Sequence, residues 1–262
     1  MFLKNQKINI ITTIISRFTD TMFLVIDIGN TLRKAAVFDE DGLVTAQCHW
    51  ETMDDLHQFL TLYEIKACIV SSVREDGSQL VAELNHDFPT MLFTTTMPLP
   101  ITLCYDTPLT LGTDRIASAV GAHSLFPDRT VLAIQAGTCL VADIVTAEGK
   151  YLGGSIAPGL HMRFTALAKG TARLPLVEPV SDAQVLGTST ETSILSGVIH
   201  GMHFEIDGMI EYYGGLFSNL QTVLTGGDAT ILKNSIKNPI FAAPNLVLFG
   251  LYRILKFNAS DC

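Results

Sequence analysis

Three short stretches hold residue types that do chemistry in combination. The first is Phe23–Phe38, FLVIDIGNTLRKAAVF. An apolar run ends in the carboxylate of Asp27, Gly29 opens a turn, Thr31 adds a hydroxyl, and Lys34 lies in the next apolar run. Backbone N–H groups in such a turn, with a hydroxyl beside them, form a concavity suited to an anion. Gly29 is expected to give the turn an open conformation and close approach to a ligand. The second stretch is Gln135–Thr138, QAGT, inside VLAIQAGTCLVADIV. It repeats the pattern of apolar strand, polar residue, Gly/Thr turn and apolar strand. The third is Thr225–Asp228, TGGD, where adjacent glycines let a backbone lie against a planar base or sugar. Each has a plainer reading alone: Gly-Asn is ordinary turn chemistry, and Asp27 can simply close a strand. Two phosphate turns and a Gly-Gly contact in one chain favour nucleotide binding.

The elements that must hold these residues follow from periodicity. Leu43–Trp50 reads as a third strand after the opening hairpin. Thr52–Tyr63 has helical spacing of Leu56, Phe59, Leu60 and Tyr63, with Thr52 or Asp54 as cap. Lys66–Ser71 is a short buried strand, Ser78–His86 a helix, and Thr90–Thr94 a strand. Pro98–Leu109 is Pro-interrupted and extended. A helix follows within Leu111–Phe126, with Ile116, Ala119, Val120 and His123 on one face. After the second hairpin, Tyr151–Gly159 is Gly/Pro-rich and His161–Ala168 helical. Thr190–Tyr213 is a long helix with Ile194, Val198, Ile199, Met202, Ile206 and Ile210 on one stripe. Gln221–Thr225 is a strand and Asn245–Phe257 a final helix. Strands followed by helices predict an α/β fold. The repeated hairpin, each time followed by an acidic Gly-containing turn (Asp39–Gly42 and Ala147–Lys150), predicts an internal duplication.

Composition narrows the class. The chain has 262 residues, 48% of them hydrophobic and 16% charged, enough for one large or two medium domains with a real core. A net charge of −9 argues against non-specific nucleic-acid binding, which needs a basic footprint. The five cysteines are scattered, with no CxxC spacing, so neither a zinc site nor a disulfide framework is expected, and a reducing cytoplasm is the simplest home. Residues 1–21 hold a polar-interrupted apolar run too short to span a bilayer and no small-x-small cleavage site. Met22 directly precedes the first strand, so 1–21 is expected to be a non-native or disordered extension. The division expected for the rest is 22–126 and 127–262. His200 and His203 lie one helical turn apart, but without a third ligand an ordinary helix surface is expected there.

The combination is more specific than its parts. DIGNT (Asp27–Thr31) with Lys34, YDTPLTLGTDR (Tyr105–Arg115), QAGT, GGSIAPG (Gly153–Gly159), RLPLV (Arg173–Val177), GTSTETSILSG (Gly187–Gly197) and TGGD occur in order between Met22 and about Lys256. Together they resemble type III pantothenate kinase, within the sugar kinase, actin and heat-shock ATPase superfamily. The resemblance implies two duplicated actin-like (ribonuclease H-like) α/β domains with a nucleotide cleft between them. It implies ATP- and Mg²⁺-dependent phosphorylation of pantothenate, the first step toward coenzyme A, by a cytoplasmic homodimer with no membrane or nucleic-acid partner.

It also implies residue roles. Asp27 would hold Mg²⁺ through water. Ile28, Gly29, Asn30, Thr31, Leu32, Arg33 and Lys34, with Thr138, Gly226 and Gly227, would surround ATP. Asp114 would be the general base that accepts the substrate hydroxyl proton; its local sequence alone reads as a helix cap. Arg115 would pair with the pantothenate carboxylate, where a planar fork suits the geometry. Tyr105, Gly112, Thr113 and Thr190 would complete the substrate contacts. Tyr105 otherwise reads as a packed aromatic and Thr190 as a helix cap.

One position departs from the family pattern. The second hairpin of the family reads Asp-Ala-Gly-Thr, and that Asp helps bind a monovalent cation, K⁺ or NH₄⁺. Here it is Gln135. Gln keeps a carbonyl oxygen but loses the charge, so cation affinity is expected to fall. This leaves two other readings open: a weakened or inactive nucleotide- or metabolite-binding regulator on the same fold, and a kinase for another small alcohol.

Overall fold

The computed structural model describes residues 22–29, 31–73, 77–233 and 235–259. The expectations for residues 1–21 and for Asn30 fall outside the described residues.

The first sheet is built around β1 (Met22–Ile28). β1 pairs antiparallel with β2 (Arg33–Phe38), which pairs antiparallel with β3 (Val44–His49). On its other side β1 pairs parallel with β4 (Ile65–Ser72), which pairs parallel with β5 (Thr90–Leu92). Parallel neighbours need crossovers. These are α1 (Met53–Leu60) and α2 (Gly77–Leu84). Thr52 caps α1 in a reciprocal capping box with Asp55, which settles the choice of cap in favour of Thr52. The strand order is β3-β2-β1-β4-β5. Phe23–Ile26 are all buried, as a central strand covered on both faces requires. Leu24, Ile26 and Ile28 face a core with Leu56, Cys68, Val70, Leu80 and Leu84.

The second sheet repeats this plan. β7 (Val131–Ala136), β8 (Cys139–Val145) and β9 (Lys150–Pro158) form the antiparallel meander, and β10 (Gln221–Thr225) and β11 (Phe241–Ala242) the parallel extension. The order is β11-β10-β7-β8-β9-β6, with the two-residue β6 (Thr102–Leu103) added at the edge. The duplication expected from the paired hairpins is thus a duplication of strand order and direction. The crossover from β9 to β10 is longer than its counterpart and holds α4 (Leu160–Gly170) and α5 (Thr190–Leu216). The expected stripe of α5, Ile194 to Ile210, is buried against Leu132, Ile134, Leu140 and Leu224 of the sheet. His203 lies within this buried side and is 3% exposed, so it is not the surface residue expected. Burial lowers its pKa, with the nearby His200 acting in the same direction.

The remaining helices are α3 (Thr113–Leu125), the short α6 (Ala229–Leu232) and α7 (Leu246–Ala259). The sequence reading puts one division between residues 126 and 127. Internal contacts group the described residues of Met1–Pro100, Thr107–Gly121 and Val247–Cys262 in one unit, and Ile101–Asp106 with Ala122–Leu246 in the other. Tyr252 shows what ties the end of the chain to the first unit. Its ring stacks on Phe38 at 4.9 Å and meets Phe23 edge-on at 5.8 Å, and its hydroxyl donates to Glu40 O at 2.9 Å. Beside it, Lys256 pairs with Glu40 at 2.5 Å and lies 4.4 Å from the Phe23 ring centre.

Candidate active site

In the first unit the chemistry collects at the C-terminal end of β1. Strand alternation sends Leu24, Ile26 and Ile28 into the core and leaves Asp27 on the opposite face. Its Cα stands across from Lys34 of β2 on one side and from Ser71 of β4 on the other. Ser71 thus stands beside Asp27 on the same face of the sheet. Ser71 Oγ also lies 3.1 Å from Thr113 Oγ1, at the first residue of α3. Asp114 follows, and its Oδ1 accepts from the Arg115 backbone N–H at 2.9 Å. It therefore sits inside the first turn, after the helix has begun. Gly112 leaves room for it: a Cβ there would stand 2.6 Å from Asp114 Oδ1.

Two carboxylates in one field push one of them toward neutrality. Asp27 is raised from 3.8 to about 6, first by burial and then by the Asp114 charge, while Lys34 and the Ser71 hydrogen bond pull it back. Asp27, Lys34, Thr113 and Asp114 are thus brought together with Ser71, which in sequence is only the end of a short buried strand. Its signal was the polar end of KACIVSS (Lys66–Ser72) beside a strand-end carboxylate.

The other expected residues of this unit divide. Gly29 N–H donates to Leu32 O at 3.0 Å and closes the turn, with Thr31 and Leu32 exposed. Gly29 is not among the glycines with positive φ, so the open conformation expected of it is not what the turn uses. The Ile28 side chain is in the core at 1% exposure. The Arg33 guanidinium lies 4.9 Å from the Trp50 ring centre and donates to Glu51 O at 3.2 Å. Arg115 is buried at 6% exposure.

In the second unit, three backbone segments converge at the end of β7. Gln135 stands across from Val141 and Thr225, the position Asp27 holds in the first sheet. Gly137 and Thr138 form the turn, and Gly159 N–H donates to Thr138 O at 3.1 Å, bringing the start of α4 against it. Gly226 must be glycine: its φ is 102°, and a Cβ would stand 2.1 Å from Ala136 O. Gly227 is open, with nothing within 4 Å of a Cβ placed there. Asp228 follows. Its backbone N–H donates to Ala136 O at 3.0 Å, and the His161 charge and the Leu160 N–H at the start of α4 act to lower its carboxyl pKa. Asp228 Oδ2 is buried without a hydrogen-bond partner, and burial raises this carboxyl above its usual value. Within TGGD the sequence assigns a role to the glycines and none to Asp228.

Tyr105 packs its ring over Gly153 and meets Tyr151 edge-on at 6.0 Å. Tyr151 is fully buried and its hydroxyl donates to Asp143 Oδ1 at 2.9 Å. Asp143 is therefore tied to the β9 strand. Thr190 begins α5, but Ser189 and Thr192 form the capping box, so Thr190 is not the cap. Thr190 lines a cavity of about 1140 Å³ with Arg163, Leu167, Leu174, Ser193 and Val198. Arg163 is already paired with Glu205 at 2.5 Å. Among the described residues no cluster of three or more His, Cys, Asp or Glu side chains forms a metal site.

Comparison with known proteins fits this arrangement. A family model described as type III pantothenate kinase matches residues 23–212. A type III pantothenate kinase of Christiangramia forsetii is 43% identical over 244 residues, covering 92% of this chain and all of that one. Another, from Bacteroides fragilis, is 40% identical over 239 residues, covering 90% and 98%. Among solved structures, a conserved Baf family protein from Campylobacter jejuni aligns with a TM-score of 0.57 at 21% identity, covering 90% of this chain and 99% of that one. A ROK family glucokinase from Streptomyces griseus, solved with glucose and AMPPNP, aligns with a TM-score of 0.52 at 14% identity, covering 88% and 97%. These structural likenesses support the duplicated actin-like fold. The family model spans the β1 hairpin, the Asp114 segment, the second hairpin and most of α5, and the curated relatives match over nearly their whole length. The chain belongs to the type III pantothenate kinase family.

Proposed function

We propose that this protein transfers the γ-phosphoryl group of ATP to the primary hydroxyl of pantothenate, giving 4'-phosphopantothenate on the way to coenzyme A. The observation that carries the reading is the pair of carboxylates, Asp27 and Asp114, whose charges act on each other at the end of β1 in a chain of this family. Phosphoryl transfer is mostly positioning and charge neutralisation, with in-line attack by the alcohol. Asp114 accepts the hydroxyl proton as the alcohol becomes acidic in the transition state. Its low basicity suits a late transfer rather than prior deprotonation. Asp27, at the C-terminal end of β1, is the donor fitted to a hydrated Mg²⁺. The raised pKa of this buried carboxylate is what a nearby cation would offset. When bound there, the ion neutralises charge on the transferring phosphate.

Lys34, Gly29, Thr31 and Asn30 are assigned to the nucleotide phosphates, with Thr138, Gly226 and Gly227 from the second unit. Arg115, Tyr105, Gly112, Thr113 and Thr190 are assigned to pantothenate. Gln135 offers a neutral oxygen to K⁺ or NH₄⁺, so the reaction should depend weakly on the monovalent cation. We assign a homodimer, and α5 supplies the surface that fits one. Gly197, Gly201, Phe204, Gly208, Tyr212 and Gly215 lie on one side of the helix, and a Cβ at any of these four glycines would meet nothing within 4 Å. A cytoplasmic site of action is in keeping with the family's chemistry; among the described residues no helix is long and apolar enough to cross a membrane.

The test is a panel of alcohols. Pantothenate should be phosphorylated far faster than its analogues or sugars, with kcat lost in Asp114→Asn. Faster turnover of a sugar would replace the substrate assignment. Nucleotide and pantothenate binding without turnover would favour a regulator.

A further inference from the structure

The backbone that carries Tyr105 is fastened just before it. Thr102 and Leu103 of β6 pair parallel with Lys150 and Tyr151 of β9, and the Cys104 N–H donates to Tyr151 O at 2.9 Å. Tyr105 is the next residue. Its half-buried ring packs over Gly153 and meets the Tyr151 ring edge-on, with ring centres 6.0 Å apart and planes at 61°.

β9 is irregular at this point. Its pairing with β8 runs from Ile144 opposite Gly153 to Val145 opposite Tyr151, so Leu152 is an extra residue in the ladder. A slip of one residue changes the face on which a side chain stands. The bulge therefore places Tyr151 on the face shared by Val145 and, two residues before it, Asp143. From there the Tyr151 hydroxyl reaches diagonally to Asp143 Oδ1 and donates at 2.9 Å. Both side chains are buried. A phenylalanine would fill nearly the same space, but nothing would fix its angle. A phenol bound to a buried carboxylate has its angle set by a charge-assisted bond. Gly153 completes the seat. Its φ is 91°, and a Cβ there would stand 3.1 Å from two carbons of the Tyr105 ring.

We infer that Tyr151 is a positioning residue for the substrate: held at a fixed angle by Asp143, its ring sets the attitude of Tyr105 over Gly153. The effect falls on pantothenate, because Tyr105 is assigned to that substrate and not to the nucleotide. This consequence rests on the function proposed above; the seat itself does not.

The experiment compares Tyr151→Phe, Tyr105→Ala and the Tyr105→Ala/Tyr151→Phe double variant by steady-state kinetics with each substrate varied, by thermal unfolding and by crystal structures. Tyr105→Ala should raise the pantothenate KM about tenfold or more, the scale of an aromatic anchor lost from a binding site. Tyr151→Phe should raise it about three- to tenfold, the scale of one lost hydrogen bond, and change the KM for ATP by less than about twofold. In the Tyr105→Ala background, Tyr151→Phe should leave the pantothenate KM unchanged, because the residue it acts through is gone. A purely structural role for the Tyr151 hydroxyl would lower the unfolding midpoint in both backgrounds and leave the ratio of the two KM values where it was. In the crystal, the Tyr105 ring should hold one rotamer in the wild type and turn or split in Tyr151→Phe. KM effects that multiply in the double variant, an unmoved Tyr105 ring, or equal changes in both KM values would overturn the inference. An unchanged pantothenate KM in Tyr105→Ala would overturn it too, by removing Tyr105 from the substrate site while leaving the kinase reading to the Asp114→Asn test. If the wild type phosphorylates no pantothenate, the kinase reading fails, and the Tyr105 rotamer still decides the positioning.

Discussion

Asp27→Asn should make the protein more stable while removing its activity. The carboxyl is raised from 3.8 to about 6, mainly by burial and by Asp114. A carboxyl with a raised pKa in the folded state binds its proton more tightly there than in the unfolded chain. Its ionisation therefore opposes folding: the penalty is absent below pH 3.8, grows through the window up to about pH 6, and is fully present above it. The shift of roughly two units corresponds to about 3 kcal/mol at 1.36 kcal/mol per unit. Asparagine keeps the shape and cannot ionise. At pH 7.5, with EDTA and no nucleotide, Asp27→Asn should raise the unfolding midpoint by about 5–10 °C for a chain of this size. At pH 4 the two proteins should unfold within about 2 °C of each other, since both then carry a neutral side chain. Differential scanning calorimetry at the two pH values reads this directly. An Asp27→Asn protein no more stable than wild type at pH 7.5, or a difference that does not grow between pH 4 and 7.5, would refute the reasoning. So would a variant that keeps its turnover, since a carboxylate whose ionisation opposes folding is held for function.

Other perturbations give separate readings. Asp114→Asn should lower kcat about 10²- to 10⁴-fold with nearly unchanged nucleotide affinity, measured by kinetics and calorimetry. Gly226→Ala should destabilise the second unit, because a side chain at φ 102° would also meet Ala136 O; thermal unfolding and lost nucleotide binding together check it. Tyr252→Ala should lower stability by about 3–5 kcal/mol, as for other buried aromatic truncations, read by denaturant unfolding. Gln135→Asp should raise the dependence of kcat on K⁺, and an unchanged response would show that this position does not face the cation.

Much of this was legible in the sequence where one local pattern fixed one outcome. The two hairpins could be read because strand, Gly/Thr turn and strand leave few alternatives, and their repetition predicted the duplicated sheet. The α5 stripe was legible because 3.6-residue spacing runs through Ile194 to Ile210. What could not be read lay in pairings between distant segments. β9 read only as a Gly/Pro-rich stretch, because Gly153 and Gly154 interrupt the pattern of a strand whose pairing with β8 and β6 is not local. The two-residue β11 and the four-residue α6 are too short to show a period. His203 looked like a surface residue because helical spacing alone does not say which flank of the stripe is covered. Ser71 is the clearest case at the site. Its type is ordinary for a strand end, and its meaning comes from Asp27 and Thr113, 44 and 42 residues away in sequence. Ile28 and Arg33 show the converse: they stand in the phosphate motif, yet one side chain is in the core and the other lies on Trp50.

The central claim is that this chain phosphorylates pantothenate with Asp114 as base. Purified protein, ATP, Mg²⁺ and pantothenate, with and without K⁺ or NH₄⁺, should yield 4'-phosphopantothenate by mass spectrometry in step with ADP release. Asp114→Asn, folded to the same midpoint, should yield almost none. Folded wild type that forms no phosphopantothenate under any of these cation conditions, or Asp114→Asn that forms it at the wild-type rate, would contradict the account.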